Sequence, residues 1–189
     1  MISKDSAFAR QLKVTTAYHL PHMSEVAPKY LDMIGDIIPK EPTEPGDCPV
    51  MYFSLTGSVV SSSKELDAQY WVDNMQNPVK FPRGVSALLK HNKAAPGTSR
   101  STAVQWGSFL EIGPHAALQG PLRQIIDASN KKFAKVAPYA SMLMRNKDAI
   151  DTSLNAAGVT KHCAGTVAVV YETAPSGVED STVDALWEK

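Results

Sequence analysis

Apolar positions recur at two different spacings along this chain, and the change from one to the other marks out its elements. Val26, Tyr30, Met33, Ile34 and Ile37 fall on one side of a helical wheel and predict an amphipathic helix reaching Ile38, weakened at Gly35. Ser24 precedes it, but Ala27 rather than an acid stands three residues on, so no capping box forms. Leu66, Tyr70 and Met75 predict a second helix that stops before Asn77-Pro78. Further helices are expected over Val79 to Leu89, Leu118 to Ile126 and Asp148 to Ala156. Between them lie short β-prone runs. Leu12-Lys13-Val14-Thr15 alternates, and Val50 to Leu55 reads as a buried strand turned by Thr56-Gly57-Ser58 into a second small strand at Val59-Val60. Phe109-Leu110-Glu111-Ile112 is the clearest strand and ends at Gly113-Pro114-His115; Ala137 to Met144 and Thr166 to Tyr171 hold further β-prone stretches. Residues 39–49, PKEPTEPGDCP, and residues 91–102, HNKAAPGTSRST, read as loops, and the polar end PSGVEDSTVD as frayed. Strands alternating with helices of these lengths predict an α/β fold, without fixing the strand order.

Composition narrows the partners more than the fold. The 189 residues fit one medium domain or part of a larger one. Nineteen basic residues balance nineteen acidic ones, and they are scattered, so nothing favours a nucleic-acid partner. Cys48 and Cys163 lie far apart without metal-ligand spacing, as in a reduced intracellular protein. No apolar run approaches the ~18 residues of a membrane span, and the N-terminus lacks a secretory pattern, so a cytoplasmic place is expected.

Candidate chemistry centres on Tyr18-His19-Leu20-Pro21-His22-Met23. Three readings are open for its histidines. A metal site would want a third protein ligand, and no residue supplies one with recognisable spacing. A structural role would place His19 at a strand end, bonded to backbone. A general base would exploit the same place, because imidazole exchanges protons near neutral pH and active-site groups gather at the carboxyl ends of strands. His115, in EIGPHAAL, reads as part of a structural corner. The nucleophile such a base would serve is missing from the sequence. No GxSxG elbow occurs; Ser58 and Ser99 sit in turn or loop sequence, and Cys48 lies among prolines. No P-loop or GxGxxG occurs either, so no cofactor is expected.

Four segments, FARQLKVTTAYHLPHM (8–23), MYFSLTGSVV (51–60), LDAQYWVDNMQNPVKF (66–81) and FLEIGPHAALQGPLRQII (109–126), supply a family. In this order and spacing they resemble the C-terminal part of the acyltransferase domain of polyketide synthases, most closely the fungal highly reducing type. Malonyl-CoA:acyl-carrier-protein transacylases are relatives. The resemblance runs from residue 8 to about 155 and implies an incomplete α/β-hydrolase-like large subdomain over residues 19–157. Residues 1–18 would end a ferredoxin-like small subdomain, and 158–189 form a divergent, partly disordered tail.

The resemblance implies chemistry as well. In this family a serine in a GHSxG elbow attacks malonyl-CoA, a histidine activates it, and the malonyl group passes to the phosphopantetheine thiol of an acyl carrier protein. His19 falls on that histidine, with His22, Asn74 and His115 in supporting places. Leu20 stands where the motif usually has serine. The base is expected to be oriented by backbone carbonyls, near or before the EIGPH corner. The serine elbow, an oxyanion-hole glutamine and a malonyl-binding arginine would lie upstream of residue 1. The chain alone is therefore expected to be inactive, with strand edges left open. Two alternatives stand beside this: a half-enzyme completed by a separate serine-bearing chain, and a non-catalytic module that binds a carrier protein.

Overall fold

In the computed structural model, residues 18–40, 49–60, 62–94, 100–129 and 135–171 are described. The strand expected over Leu12–Thr15, most of the proline-rich connection with Cys48, Ser99 and the end of the chain lie outside the described residues. The chain divides into two compact units, Met1–Gly84 and Val85–Lys189.

In the first unit, Leu20 is extended, as a residue before proline must be, and Pro21 opens a 3-10 turn, Pro21–Glu25. Met23 plugs this turn into the core at 1% exposure. Helix α1 follows, Ala27–Ile34, and stops at Gly35. The expected helix ran four residues further; instead Met33, Ile37 and Ile38 are exposed. Ser62 and Glu65 form a capping box on a 3-10 turn, Ser63–Leu66. Asp67 then caps helix α2, Ala68–Gln76, by accepting the Tyr70 N–H at 2.9 Å. Asn77, held extended by Pro78, ends α2 where the sequence predicted.

The buried strand expected over Val50–Leu55 is not formed. Only a single antiparallel bridge joins Tyr52 to Val59, and Val50 is 52% exposed. Among the described residues this one bridge is too short a ladder to persist as a strand, and the Ser54 carbonyl instead accepts the Lys80 N–H. Its turn is real, with Gly57 at φ +75 accepting a conformation side chains disfavour. Phe53 is buried there against Tyr70, ring centroids 4.5 Å apart.

Helix α3, Phe81–Leu89, carries the boundary between the units. In the second unit the expected loop 91–102 contains a short antiparallel pair, β1 Asn92–Ala94 with β2 Ser101–Ala103. Strand β3, Trp106–Ile112, starts three residues before the predicted one. Helix α4 is Gln119–Ala128, β4 is Tyr139–Ser141, helix α5 is Ala149–His162, and β5 is Thr166–Tyr171. Strands β4, β3 and β5 form a parallel sheet in that order, with β3 central. This is the α/β class that the alternation of elements predicted.

The core of this unit sits around β3. Phe109, Leu122 and Ile126 are fully enclosed, each worth about 1.5–3 kcal/mol of apolar burial. Leu122 and Ile126 lie four residues apart, on one face of α4. Helix α5 runs six residues past the predicted end, straight through Gly158. Asp148 holds its start, its carboxyl accepting the N–H groups of Ile150 and Asp151.

Candidate functional site

A helix of nine residues leaves its last four carbonyls without intrahelical partners, and in α2 these belong to Asp73, Asn74, Met75 and Gln76. Asn77 answers the first, through its backbone N–H at 3.0 Å and its side-chain amide at 2.7 Å. His19 answers the next two. Its Nδ1 lies 2.7 Å from the Asn74 carbonyl oxygen, and its backbone N–H donates to the Met75 carbonyl at 2.8 Å. One residue thus closes half of the open end of α2.

Reaching both carbonyls sets the backbone of His19. Its φ is +64, a left-handed conformation uncommon for non-glycine residues, though histidine adopts it more readily than most, as do asparagine and aspartate. Such a residue costs about 1–3 kcal/mol, and the two hydrogen bonds are what the conformation obtains in return. Tyr18 and Leu20 on either side are exposed, so the imidazole, itself half-buried, is displayed on a short arch anchored at Met23.

The contact with Asn74 also fixes the chemistry of the ring. A carbonyl oxygen only accepts, so Nδ1 carries the hydrogen of the neutral imidazole and Nε2 keeps its lone pair. A histidine in this state can take a proton at Nε2 while its other edge stays tethered. The partial negative charge at the carboxyl end of α2 faces the tethered edge. The carbonyl that holds the ring lies on α2, ahead of the EIGPH corner in the chain. The signal for it was Asn77-Pro78, which ends a helix and exposes its carbonyls.

The other expected site residues are placed as follows. Asn74 is buried at 6% exposure and acts on His19 through its backbone. His22 is exposed on the 3-10 turn. His115 is half-buried in the corner after β3, its carbonyl accepting the Ala117 N–H at 2.8 Å. Ser58 is exposed in its turn and donates to Thr56 Oγ1 at 2.8 Å. Among the described residues, no three histidine, cysteine or acidic side chains gather as a metal would require. Burial raises the Tyr30 and Tyr52 phenols above the usual tyrosine value, which leaves both protonated at neutral pH.

One residue escaped the sequence reading. Glu111 on β3 is fully buried, its carboxyl accepting the Ala117 N–H at 3.0 Å and the Leu118 N–H at 3.3 and 3.2 Å. These groups lead into α4, so the acid ties the GPHAA corner to the strand below it. An acid inside an apolar strand, two residues before Gly113-Pro114, was the available signal.

The sequence profile described as the acyl transferase domain matches residues 1–166. Among curated proteins, a highly reducing polyketide synthase of Emericella nidulans is 40% identical over 162 residues, which is 84% of this chain and 6% of that protein. A reducing polyketide synthase of Gibberella fujikuroi is 41% identical over 160 residues, 83% of this chain and again 6% of the relative. Among solved structures, the acyltransferase domain from module 8 of the salinomycin polyketide synthase overlays 80% of this chain with a TM-score of 0.58 and 23% identity. A loading acyltransferase from the avermectin modular polyketide synthase overlays 76% with a TM-score of 0.56 and 21% identity. This chain covers 30% and 37% of those two chains, so it spans about a third of the fold it shares.

Proposed function

The chain belongs to the acyl transferase domain family, and from that premise we propose that His19 is the general base of a malonyl transferase site whose nucleophilic serine lies on polypeptide outside these 189 residues. The observation that carries this reading is the 2.7 Å contact of His19 Nδ1 with the Asn74 carbonyl, which leaves Nε2 as the proton acceptor.

The steps balance through that one nitrogen. Serine Oγ attacks the thioester carbonyl of malonyl-CoA while Nε2 takes its proton. As the tetrahedral intermediate collapses, the coenzyme A sulfur leaves and receives that proton from the imidazolium. The phosphopantetheine thiol of an acyl carrier protein then gives its proton to Nε2 and attacks the seryl ester. Serine departs and takes the proton back. Such proton transfer contributes about 10²–10⁴ in rate when base and nucleophile are within hydrogen-bond reach.

In this proposal Asn74 is a positioning residue acting through His19, and His22 and His115 keep supporting places. Residues 1–18 end a ferredoxin-like small subdomain, 19–157 belong to the large subdomain, and 158–189, which hold the end of α5 and β5, diverge from the family pattern. The partners are an acyl carrier protein and the remainder of a polyketide synthase, in the cytoplasm. No helix among the described residues is long and apolar enough to cross a membrane.

The test grafts residues 1–166 in place of the matching stretch of a related synthase's acyltransferase domain and follows labelled malonyl onto a carrier protein. Transfer is expected, and His19→Gln is expected to lower it by about 10²–10⁴. Undiminished transfer by the His19→Gln graft would refute the assignment. Carrier binding without transfer would favour the non-catalytic alternative.

A further inference from the structure

The family match ends at residue 166, and strand β5 is Thr166–Tyr171. β5 is nevertheless the longer-paired neighbour of the central strand. It meets β3 along its whole length, from Trp106↔Thr166 to Ile112↔Tyr171, whereas β4 contributes three pairs. β3 is not built to be an edge: Ser108 and Phe109 are 0% exposed. A strand buried in this way needs a neighbour on both sides, since its unpaired N–H and C=O groups would otherwise lie away from water.

The junction into β5 is equally specific. Gly165 has φ +117, and a Cβ there would lie 2.6 Å from the Gln105 carbonyl oxygen. Opposite it, Gly107 is the extra residue of a register shift, and a Cβ on it would meet the Ala164 carbonyl oxygen at 2.9 Å. Thr166 N–H donates to Gln105 at 2.8 Å. β5 itself is uncharged, free of proline and rich in valine, with Val169 44% exposed.

The family model reaches only the first residue of β5, and about two thirds of the solved acyltransferase fold lies outside the part this chain covers. We propose that the β5 side of β3 is the docking edge for a strand of the serine-bearing portion of an acyltransferase domain, and that β5 occupies that edge in place of it. The inference rests on the proposed function for the identity of the partner. Its consequence is competition: β5 must leave β3 before the serine-bearing portion can add its strand.

The test mixes the 189-residue chain, and a version ending at residue 166, with the separately produced serine-bearing portion from a related synthase. The shorter version is expected to bind about tenfold tighter, as when the open form of the full chain is only about one-tenth populated. Hydrogen exchange on the full chain decides the matter if the shorter version fails to fold. In its complex the amides of Thr166–Tyr171 should lose protection while those of β3 keep it. Equal affinity of two folded versions, a complex in which β5 stays protected, or no complex with either version would overturn the proposal. Binding that displaces β5 but gives no His19-dependent transfer would sink the functional reading alone. Transfer that needs His19 while β5 stays protected would sink only the docking edge.

Discussion

At residue scale, His19 caps the open end of α2 through both its backbone and its ring. Its backbone is left-handed at φ +64, and its ring is tethered by one nitrogen with the other untethered among the described residues. The expected consequence is a defined tautomer. Long-range proton–nitrogen spectra of the chain at about pH 8.5, where imidazoles are neutral, should show hydrogen on Nδ1 and none on Nε2 of His19. An Nε2–H tautomer would remove the base from the site. The histidine and its motif were legible in the sequence, because Tyr18-His19 and His22-Met23 are side-chain identities. The left-handed backbone and the Asn74 and Met75 carbonyls were not, because main-chain acceptors have no side-chain signature.

At the scale of elements, legibility followed how much each segment depends on distant partners. Helices α2 and α4 matched because their caps and stops are local: Asp67 and Asn77-Pro78 for one, the Leu122 and Ile126 stripe for the other. Val50–Leu55 misled because an apolar run becomes a strand only beside another strand, and among the described residues its strand pairing is the Tyr52–Val59 bridge. Conversely, Asn92–Ala94 looked like loop but pairs with Ser101–Ala103. Glu111 shows the same dependence inside β3. Its carboxyl serves N–H groups six and seven residues on, a relation invisible until the corner closes. Glu111→Ala should lower unfolding stability by about 2–3 kcal/mol, since the Ala117 and Leu118 N–H groups lose a buried acceptor. Glu111→Gln keeps one carbonyl oxygen and should cost less than half as much. Denaturant titration of both variants checks the pair; equal losses would mean that packing rather than hydrogen bonding sets the value.

At the scale of the whole molecule, the parallel order β4-β3-β5 came from contacts that no local pattern encodes. The open strand edges expected from the resemblance are answered on one side by β5, beyond the family's matched stretch. His19 and the end of α2 that it caps stand in a chain whose sequence has no GxSxG elbow.

The most direct measurement is single-turnover incubation with malonyl-CoA, followed by mapping of every malonylated residue. With the 189-residue chain alone, no malonyl ester or thioester should appear on Ser58, Cys163 or any other side chain. With the graft, the label should collect on the elbow serine at a rate that collapses in His19→Gln. A malonyl adduct on one of this chain's own residues, formed at a rate that depends on His19, would contradict the account.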